Sequence, residues 1–494
     1  MAPEGPVLAA SFRIDIKDYM MKKTVLTFAV LCMAASVMEA KVTLPQIFGD
    51  NMVLQQQTEV KIWGKAEPSS RVTVRPSWDR KSSVTVTSDA DGKWMASVAT
   101  PEAGGPYSVE ISDGEKLVLD NVLIGEVWFC SGQSNMEMPV RGFDNQPVEG
   151  SADVILGARP EIPVRFCTVS KATSVTPLED CETEWMENTP EAVARASATA
   201  YFFGQYLQKI LDVPVGLIIS DWGGTAIETW MDRETLSSKF PEFDLSFLDK
   251  GETRKNVSST PTQLYNAMVA PVIPYTIKGM LWYQGEANIG RPEQYRKLMS
   301  AYVGMMRDKW DLGEMPFYYV QIAPFSYGDP EGLGAAYLRE AQLQSWGDIP
   351  NSGMAVTLDI GDADCIHPAK KQEVGKRLAL MALHQTYGKQ AVNPYSPVYR
   401  SWAVEDGKIR VWFDKADGGL STRGHLLEGF EVAGPDKVFY PATARVAGYD
   451  VIEVYCPEEV KEPAAVRYGF HNCAGASLFN LSGIPASPFR TDNW

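Results

Sequence analysis

Apolar strands that alternate with amphipathic helices dominate the middle of the sequence and constrain its fold most. The apolar runs are Val122 to Cys130, Val213 to Ile219, Ile277 to Tyr283, Phe317 to Ile322 and Met354 to Leu358. Helical periodicity separates the later runs, for example after Pro292 and from about Ala369 to Tyr387. Strands that are apolar throughout are typical of a parallel sheet covered on both faces. We therefore predict an α/β core with a parallel sheet.

Short alternating strands flank this core on both sides. From Lys41 to about Asp120, brief apolar–polar runs are separated by Gly, Pro, Asn and Asp turns, which predicts a small antiparallel sandwich. The same rhythm returns from about Asn393 and predicts a second β-rich module. A chain of 494 residues suits roughly two to four domains. We predict an upstream extension with a signal peptide, an N-terminal β-sandwich-like domain, the α/β core and a C-terminal β-rich module at residues 1–40, 41–120, 121–390 and 391–494.

The charge balance excludes some classes of partner. Acidic residues outnumber basic ones by 62 to 46, which gives a formal net charge of -16. This balance argues against a nucleic-acid partner and against an anionic membrane surface. A small anionic substrate is still compatible with it, because such a substrate needs only one or two local arginines. Beyond the N-terminal region, no segment has the roughly 18 consecutive apolar residues of a membrane span.

A secretory signal peptide is predicted at about residues 21–40. Met21-Lys22-Lys23 precedes an apolar segment, Thr24 to Val37, and Ala40 supplies a small residue at the cleavage point. The protein is therefore expected to be secreted or periplasmic. Residues 1–19 are interpreted as an upstream extension, with Met20 or Met21 as the start. The alternative is that the apolar segment is a short buried helix.

Six of the seven cysteines follow the predicted signal. An exported chain can form disulfides, and the candidate pairs near in sequence are Cys167 with Cys181 and Cys456 with Cys473. The sequence does not determine the connectivity. No Cys/His cluster has the spacing of a zinc site, and no metal is predicted.

Glycine and small polar residues follow four of the predicted strands. In an open parallel sheet, ligands bind beyond the carboxyl ends of the strands. These segments should therefore meet. They are Gly132 to Asn135, Ser220 to Thr225, Gln284 to Asn288 and Asp359 to Pro368.

Ser134 is the candidate nucleophile among these residues. It follows a buried strand and lies beside Gly132, as expected of a serine on a tight strand-to-helix turn. A serine hydroxyl needs an imidazole to accept its proton and a group that orients that imidazole. Of the four histidines, only His367 lies at a strand-to-helix junction of the sheet, and Asp364 precedes it by three residues. Helix capping is the alternative role for all three side chains.

An oxyanion formed at Ser134 would also need hydrogen-bond donors. The backbone N–H of Ser134 is one candidate. Gly223 or Gly224 could supply a second backbone N–H, and Gln284 or Asn288 a side-chain amide. The sequence leaves the choice within each pair open.

Four ordered motifs occur at the ends of the predicted strands. They are Gly132-Gln133-Ser134-Asn135-Met136, Trp222-Gly223-Gly224-Thr225 with Trp230, Trp282-Tyr283-Gln284-Gly285-Glu286 with Asn288, and Asp364-Cys365-Ile366-His367-Pro368. Together they resemble the sialate O-acetylesterase family within the SGNH hydrolases. Segments near both ends, Leu44 to Gln56 and Pro488 to Asp492, match as well, so the resemblance covers nearly all of the mature chain.

This resemblance implies a three-layer SGNH-type core and a cofactor-free Ser/His/Asp esterase that removes acetyl groups from sugar hydroxyls. Carried over to these positions, Ser134 is the nucleophile, His367 the base and Asp364 the partner of the base. One departure concerns Asn288, which lies three residues after Gly285 where the SGNH pattern has two. The oxyanion donor that the resemblance implies is therefore left open between Gln284 and Asn288.

The substrate implied by the family is sialic acid acetylated on its glycerol chain, at the 9-hydroxyl. The alternative is acetylated xylan or another plant glycan, because the triad does not distinguish sugars. A sialate carboxylate would require a cation. The candidate substrate-binding residues are Arg141, Arg291 and Arg339, together with Gln133 and Glu286 in the motifs.

A non-enzymatic alternative is a glycan-binding surface protein with a degenerate hydrolase core as its scaffold. The intact Ser134, Asp364 and His367 argue against it. The release of acetate from an acetyl ester separates the two hypotheses.

Overall fold

The computed structural model of the protein describes Met1 and residues 42–79, 81–405 and 407–494. The segment predicted as a signal peptide lies outside these residues. No helix in the described chain combines the length and apolarity that crossing a bilayer requires.

The first β module consists of two small sheets. Its strands are β1 (Val53–Gln55), β2 (Glu59–Lys65), β3 (Arg71–Pro76), β4 (Val84–Thr87), β5 (Lys93–Ala99), β6 (Gly104–Ser112) and β7 (Lys116–Gly132). Strand β7 pairs antiparallel with β6 and parallel with β1, whereas β2 and β5 form a separate antiparallel pair. Alternate side chains such as Val72, Val74 and Ile111 are fully buried, as the period of a half-buried strand requires. Because β7 continues through position 120, this module shares a strand with the central sheet.

The central sheet is built around the second half of β7. Its remaining strands are β8 (Val164–Thr168), β9 (Trp185–Met186), β10 (Val215–Asp221), β11 (Gly279–Tyr283), β12 (Phe317–Val320) and β13 (Ser352–Ala355). The six strands in the order β13-β12-β11-β7-β10-β8 are parallel. Strand β9 adds an antiparallel edge, and β6 is antiparallel to β7. The whole sheet is therefore mixed, and the predicted parallel core corresponds to these six strands.

Helices cover both faces of the parallel strands. They are α1 (Ser134–Glu137), α2 (Ser151–Leu156), α3 (Pro190–Val193), α4 (Ala198–Leu211), α5 (Arg233–Lys239), α6 (Ser246–Asp249), α7 (Pro292–Trp310), α8 (Gly334–Asp348) and α9 (Lys371–Gln385). The 3₁₀ turns span Ile227–Trp230, Ala270–Val272 and Glu286–Asn288, and a π turn spans Tyr265–Val269. Phe129 packs in the cluster that contains α7 and α8, whereas its neighbour Trp128 packs with α4 and α9. Successive residues of β7 thus bury opposite faces, as strand geometry requires.

The C-terminal β module is an antiparallel sheet with a small additional pair. Its strands are β14 (Val398–Glu405), β15 (Lys408–Asp414), β16 (Leu420–Ser421), β17 (Leu427–Ala433), β18 (Phe439–Val446), β19 (Val451–Tyr455), β20 (Ala465–Tyr468), β21 (Phe479–Asn480) and β22 (Phe489–Arg490). Seven of them pair in the order β14-β15-β19-β18-β17-β20-β22, and β16 pairs with β21. The module is joined to the α/β core by buried polar contacts, for example from Gln321 Nε2 to Ser487 Oγ at 3.0 Å.

Candidate active site

Ser134 lies where β7 ends and the short helix α1 begins. Gly132, two residues earlier, has a φ of 153°, and a Cβ at this position would lie 2.1 Å from the carbonyl oxygen of Tyr283. Only glycine fits there, because it lacks that Cβ and tolerates positive φ. The N–H of Gln133 donates to the same carbonyl at 3.0 Å. The chain therefore turns sharply between the strand and the helix, with Ser134 at the carboxyl edge of the parallel strands.

His367 lies directly against this serine. Its Nε2 is 2.8 Å from Ser134 Oγ, although 233 residues separate the two in the chain. His367 belongs to the loop between β13 and α9, which approaches the same edge of the sheet. The structure thus brings together the two residues that the sequence analysis selected as nucleophile and base.

The other ring nitrogen of His367 contacts Gln146, a residue that the sequence analysis did not select. The Gln146 Oε1 is 2.6 Å from Nδ1. With the amide oxygen toward the ring, Nδ1 carries the proton and Nε2 is free to accept the hydroxyl proton of Ser134. A tight turn holds this loop, because Phe143 and Gln146 exchange backbone hydrogen bonds of 3.1 and 3.0 Å. The ring of Phe143 also packs edge-on against His367, with 5.3 Å between the centroids.

Asp364, the predicted partner of His367, does not occupy that position. In the part of the chain that the structure describes, no hydrogen bond or ion pair joins Asp364 to His367. Its side chain is exposed, and its backbone N–H donates to Asp362 Oδ1 at 2.8 Å in a local turn. In this structure the turn directs Asp364 to solvent and Gln146 contacts the imidazole, so the partnership of Asp364 with His367 stays a prediction from the sequence.

The environment of His367 favours the neutral imidazole. Burial lowers its pKa to about 4, and the nearby cation of Lys371 adds to this effect, whereas Glu137 opposes it. At neutral pH, His367 is therefore unprotonated at Nε2. This is the state in which it can accept a proton from Ser134.

Of the predicted oxyanion donors, Gly223 lies beside the nucleophile. A Cβ on Gly223 would be 3.2 Å from Ser134 Cβ, so the two backbones are adjacent. The Gly223 N–H donates to Glu137 Oε2 at 2.6 Å. Gly224 has no such proximity, since a Cβ there would lie nearest to Ser258 Oγ, at 3.8 Å.

The predicted amide donors Gln284 and Asn288 face the protein interior instead. Gln284 Nε2 donates to the carbonyl of Thr225 at 3.1 Å and to Asn288 Oδ1 at 2.7 Å. Asn288 Nδ2 donates to Glu228 Oε2 at 3.1 Å, and its oxygen also accepts the N–H of Ile227. Both side chains are buried, so they brace the loops around the site in this structure and are not aimed at Ser134.

A cleft of about 1080 Å³ opens beside His367. Its lining includes cations and acids, among them Arg141, Arg195, Lys171, Glu137 and Asp221. Lys171 forms an ion pair with Glu137 at 2.7 Å. Burial and the neighbouring Glu137 raise the pKa of Asp221 to about 8, so its carboxyl group is mainly protonated at neutral pH. Of the three predicted substrate-binding arginines, Arg141 is the one among the residues that line this cleft.

The remaining predicted substrate-binding residues make internal contacts. Arg339 is fully buried and donates to backbone carbonyls on both sides of the junction with the C-terminal module, including Ile322 at 3.0 Å and His471 at 2.8 Å. Arg291 pairs with the buried Glu228 at 2.6 Å. Neither arginine is among the residues that line the cleft in this structure, so substrate binding by them stays a prediction from the sequence.

Gln133 and Glu286 are likewise internal. The Gln133 oxygen accepts the N–H groups of Gly285 and Ala287, each at 3.3 Å, and so ties the nucleophile turn to the end of β11. The Glu286 Oε1 accepts from Asn135 Nδ2 at 2.7 Å. Both side chains are buried and hydrogen-bonded to protein groups in this structure, and their contact with substrate stays a prediction from the sequence.

The described chain holds neither a metal-binding cluster nor a disulfide. No group of three or more His, Cys, Asp or Glu side chains within it is arranged to hold a metal ion. The six described cysteines are free thiols, so neither candidate pair is bonded.

Comparisons with known proteins point to one family. Residues 124–384 match the family model described as carbohydrate esterase, sialic acid-specific acetylesterase. The sialate O-acetylesterase of Pongo abelii is 31% identical over 71% of this chain and 72% of its own. The corresponding protein of Mus musculus is 29% identical over 74% and 77% of the two chains.

A solved structure agrees with these relatives. The crystal structure of a carbohydrate acetylesterase from Xanthomonas citri is similar over 92% of this chain and 100% of that chain, with a TM-score of 0.83 and 35% identity. The segment that matches the family model, residues 124–384, contains both Ser134 and His367. The chain belongs to the carbohydrate esterase family of sialic acid-specific acetylesterases.

Proposed function

We propose that this protein is a carbohydrate esterase that hydrolyses O-acetyl esters of sialic acid through an acetyl-enzyme on Ser134. The observation that carries the proposal is the 2.8 Å contact between Ser134 Oγ and His367 Nε2 at the edge of a cleft. Membership of the family supports the acyl chemistry. We further propose that the central sheet with its two helical layers is an SGNH-type core.

The mechanism has two acyl-transfer steps. Ser134 Oγ attacks the acetyl carbonyl carbon while His367 Nε2 takes its proton. The tetrahedral intermediate collapses as His367 returns that proton to the departing sugar oxygen, which leaves acetyl-Ser134. Water, deprotonated by His367, then attacks the acetyl group, and acetate leaves as Ser134 regains its proton.

The N–H groups of Ser134 and Gly223 are the donors proposed for the oxyanion. In the free protein, a carboxylate oxygen of Glu137 accepts the Gly223 N–H at 2.6 Å, so this donor already faces a negative oxygen beside Ser134. The carbonyl oxygen of the acetyl ester, on which the negative charge develops, would replace the Glu137 oxygen at the Gly223 N–H. Lys171 would retain the displaced Glu137 carboxylate through the existing ion pair.

Acetate release tests the esterase proposal. The wild-type protein should release acetate from a chromogenic acetyl ester, and Ser134→Ala should abolish the release. Equal, residual rates for both proteins would instead favour a glycan-binding protein with a degenerate core.

Selectivity between sugars is tested separately. Arg141 and Arg195 line the cleft and supply cations for the sialate carboxylate. Arg141→Gln should therefore raise KM for 9-O-acetylated sialic acid by roughly 10-fold and leave KM for a neutral acetyl ester unchanged. Faster hydrolysis of acetylated xylan than of acetylated sialate by the wild type would reassign the substrate to plant glycans.

Export and the domain division are proposals that rest on the sequence. Residues 21–40 have the composition of a signal peptide, which supports a secreted or periplasmic location. Fractionation of cells that express the full chain, followed by N-terminal sequencing of the mature protein, tests this location. The proposed division at residues 41–120, 121–390 and 391–494 is tested by limited proteolysis.

A further inference from the structure

A buried lysine that the ester chemistry does not use lies behind the nucleophile. Lys371 is the first residue of α9 and is completely buried. A cation is unfavourable both in a low-dielectric interior and at the positive N-terminus of a helix. Specific partners must therefore offset the free-energy cost of burying the Lys371 charge at this position.

The partners of Lys371 come from two other motifs at the edge of the sheet. Its Nζ donates to Asn135 Oδ1, and Asn135 Nδ2 donates to Glu286 Oε1 at 2.7 Å. The amide thus directs its oxygen to the cation and its nitrogen to the carboxylate, and a flipped amide would lose both contacts. The Lys371 Nζ also lies 5.4 Å from the centroid of the Tyr283 ring, within cation–π distance.

Asn135 connects this network to both reacting side chains. It directly follows Ser134 in α1, and its Nδ2 also donates to the carbonyl of Ile366 at 3.1 Å. Ile366 directly precedes His367. One amide therefore binds the nucleophile turn to the histidine loop, and Lys371 and Glu286 hold that amide from either side.

We propose that Lys371, Asn135 and Glu286 form a buried positioning network that holds Ser134 at hydrogen-bonding distance from His367. None of the three side chains touches substrate in this role. The inference rests on the proposed esterase function, since positioning matters only if Ser134 and His367 react.

The charge of Lys371 also affects the protonation of His367, as the groups that face each side chain indicate. Lys371 faces Glu286, Cys365 and the ring of Tyr283, and His367 faces Lys371 and Glu137. Lys371 and Glu137 thus act in opposite directions on the protonation of His367. Burial lowers the pKa of Lys371 to about 7, so its charge is present in the acid range where His367 titrates. Removal of that charge leaves Glu137 unopposed, so the imidazole should protonate at higher pH.

The test compares Lys371→Met with Lys370→Met, which removes the same charge from the exposed neighbouring residue. Lys371→Met should lower kcat for a chromogenic acetyl ester by roughly 10-fold or more, with KM within about 3-fold of wild type, because attack geometry is lost and not binding. The acid limb of its kcat/KM profile should move up by about one pH unit. Lys370→Met should reproduce wild type in both respects.

A second variant and a second readout keep the outcome decisive. Asn135→Ala removes the bridging amide and retains both charges, so it should lower kcat as Lys371→Met does, and the double variant should lose no more than the worse single variant. The pKa of His367 measured by NMR should rise in Lys371→Met whether or not the protein releases acetate, which separates this inference from the esterase proposal. An unchanged His367 pKa together with wild-type kcat in Lys371→Met would overturn the network. If only thermal stability fell, the three residues would be structural and the inference would be wrong.

Discussion

Replacing Gln146 with glutamate places a carboxylate 2.6 Å from Nδ1 of His367, where a neutral amide oxygen now accepts the ring proton. The imidazolium, which the present surroundings disfavour, would then have an adjacent negative charge. At an effective dielectric constant of about 20, charges about 4 Å apart interact by roughly 4 kcal/mol, which would raise the pKa by about 3. His367 is only half-buried, so solvent screening should reduce this rise to between about 1 and 2.

The pKa of His367 should therefore move from about 4 to between about 5 and 6 in Gln146→Glu. Because His367 must be unprotonated to act as a base, the acid limb of kcat/KM should move to higher pH by the same amount. The profile is measured with a chromogenic acetyl ester between pH 3 and 9. Gln146→Ala should instead lower kcat by roughly 2- to 10-fold, the value of one hydrogen bond, without an upward shift of the limb.

Asp364→Asn is the comparison that decides between the two candidate partners of His367. The Asp364 side chain is exposed and forms no hydrogen bond or ion pair with the imidazole in the described chain, so this variant should stay within about 2-fold of wild type. A loss of 10³-fold or more in Asp364→Asn, with an unmoved acid limb in Gln146→Glu, would refute the reasoning. It would mean that the loop before His367 rearranges during catalysis and that Asp364 orients the base.

Three further outcomes are expected. Ser134→Ala and His367→Ala should each lower kcat by roughly 10³-fold or more while circular dichroism shows an intact fold, and near wild-type turnover in either would contradict their roles. Asp221 has a folded pKa of about 8, above the ordinary 3.8, so the stability that its neutral carboxyl contributes is complete below about pH 4 and is lost as pH rises to about 8. Asp221→Asn should therefore match wild type in urea unfolding below about pH 4 and be more stable at pH 9, and equal stability at pH 9 would contradict the buried neutral carboxyl. Gly375→Ala should lower the free energy of unfolding by about 1–3 kcal/mol, because its Cβ would lie 2.6 Å from the backbone nitrogen of Phe203 where α9 packs on α4, and an unchanged urea midpoint would argue against this close packing.

The sequence alone predicted the core strands well because their burial is local information. Continuous apolar runs mark strands that are covered on both faces, and β10 and β11 lie within two residues of the predicted bounds. The end of the last strand was predicted less well, since β13 stops at Ala355 and not at Leu358. Beyond Ala355, burial continues without strand pairing, and an apolar pattern does not distinguish the two.

The sequence also selected Ser134 and His367 as candidates that should meet, because parallel strands bring their carboxyl ends to one edge whatever the loops between them do. The partners of these residues depended on tertiary structure. Gln146 belongs to no motif and reaches His367 across 221 residues, so no spacing could have revealed it. Asp364 had the right spacing, but a local turn directs it to solvent.

Tertiary structure likewise decided which polar motif residues face the cleft and which face the interior. Arg141 lines the cleft, whereas Arg339, Gln284 and Glu286 are buried in contacts with protein groups. The physical reason is that a buried polar atom must find a hydrogen-bond partner, and its partner is set by which loops meet in space. The sequence therefore determined the parallel core and selected the proposed nucleophile and base, and only the tertiary structure decided which side chains surround these two residues.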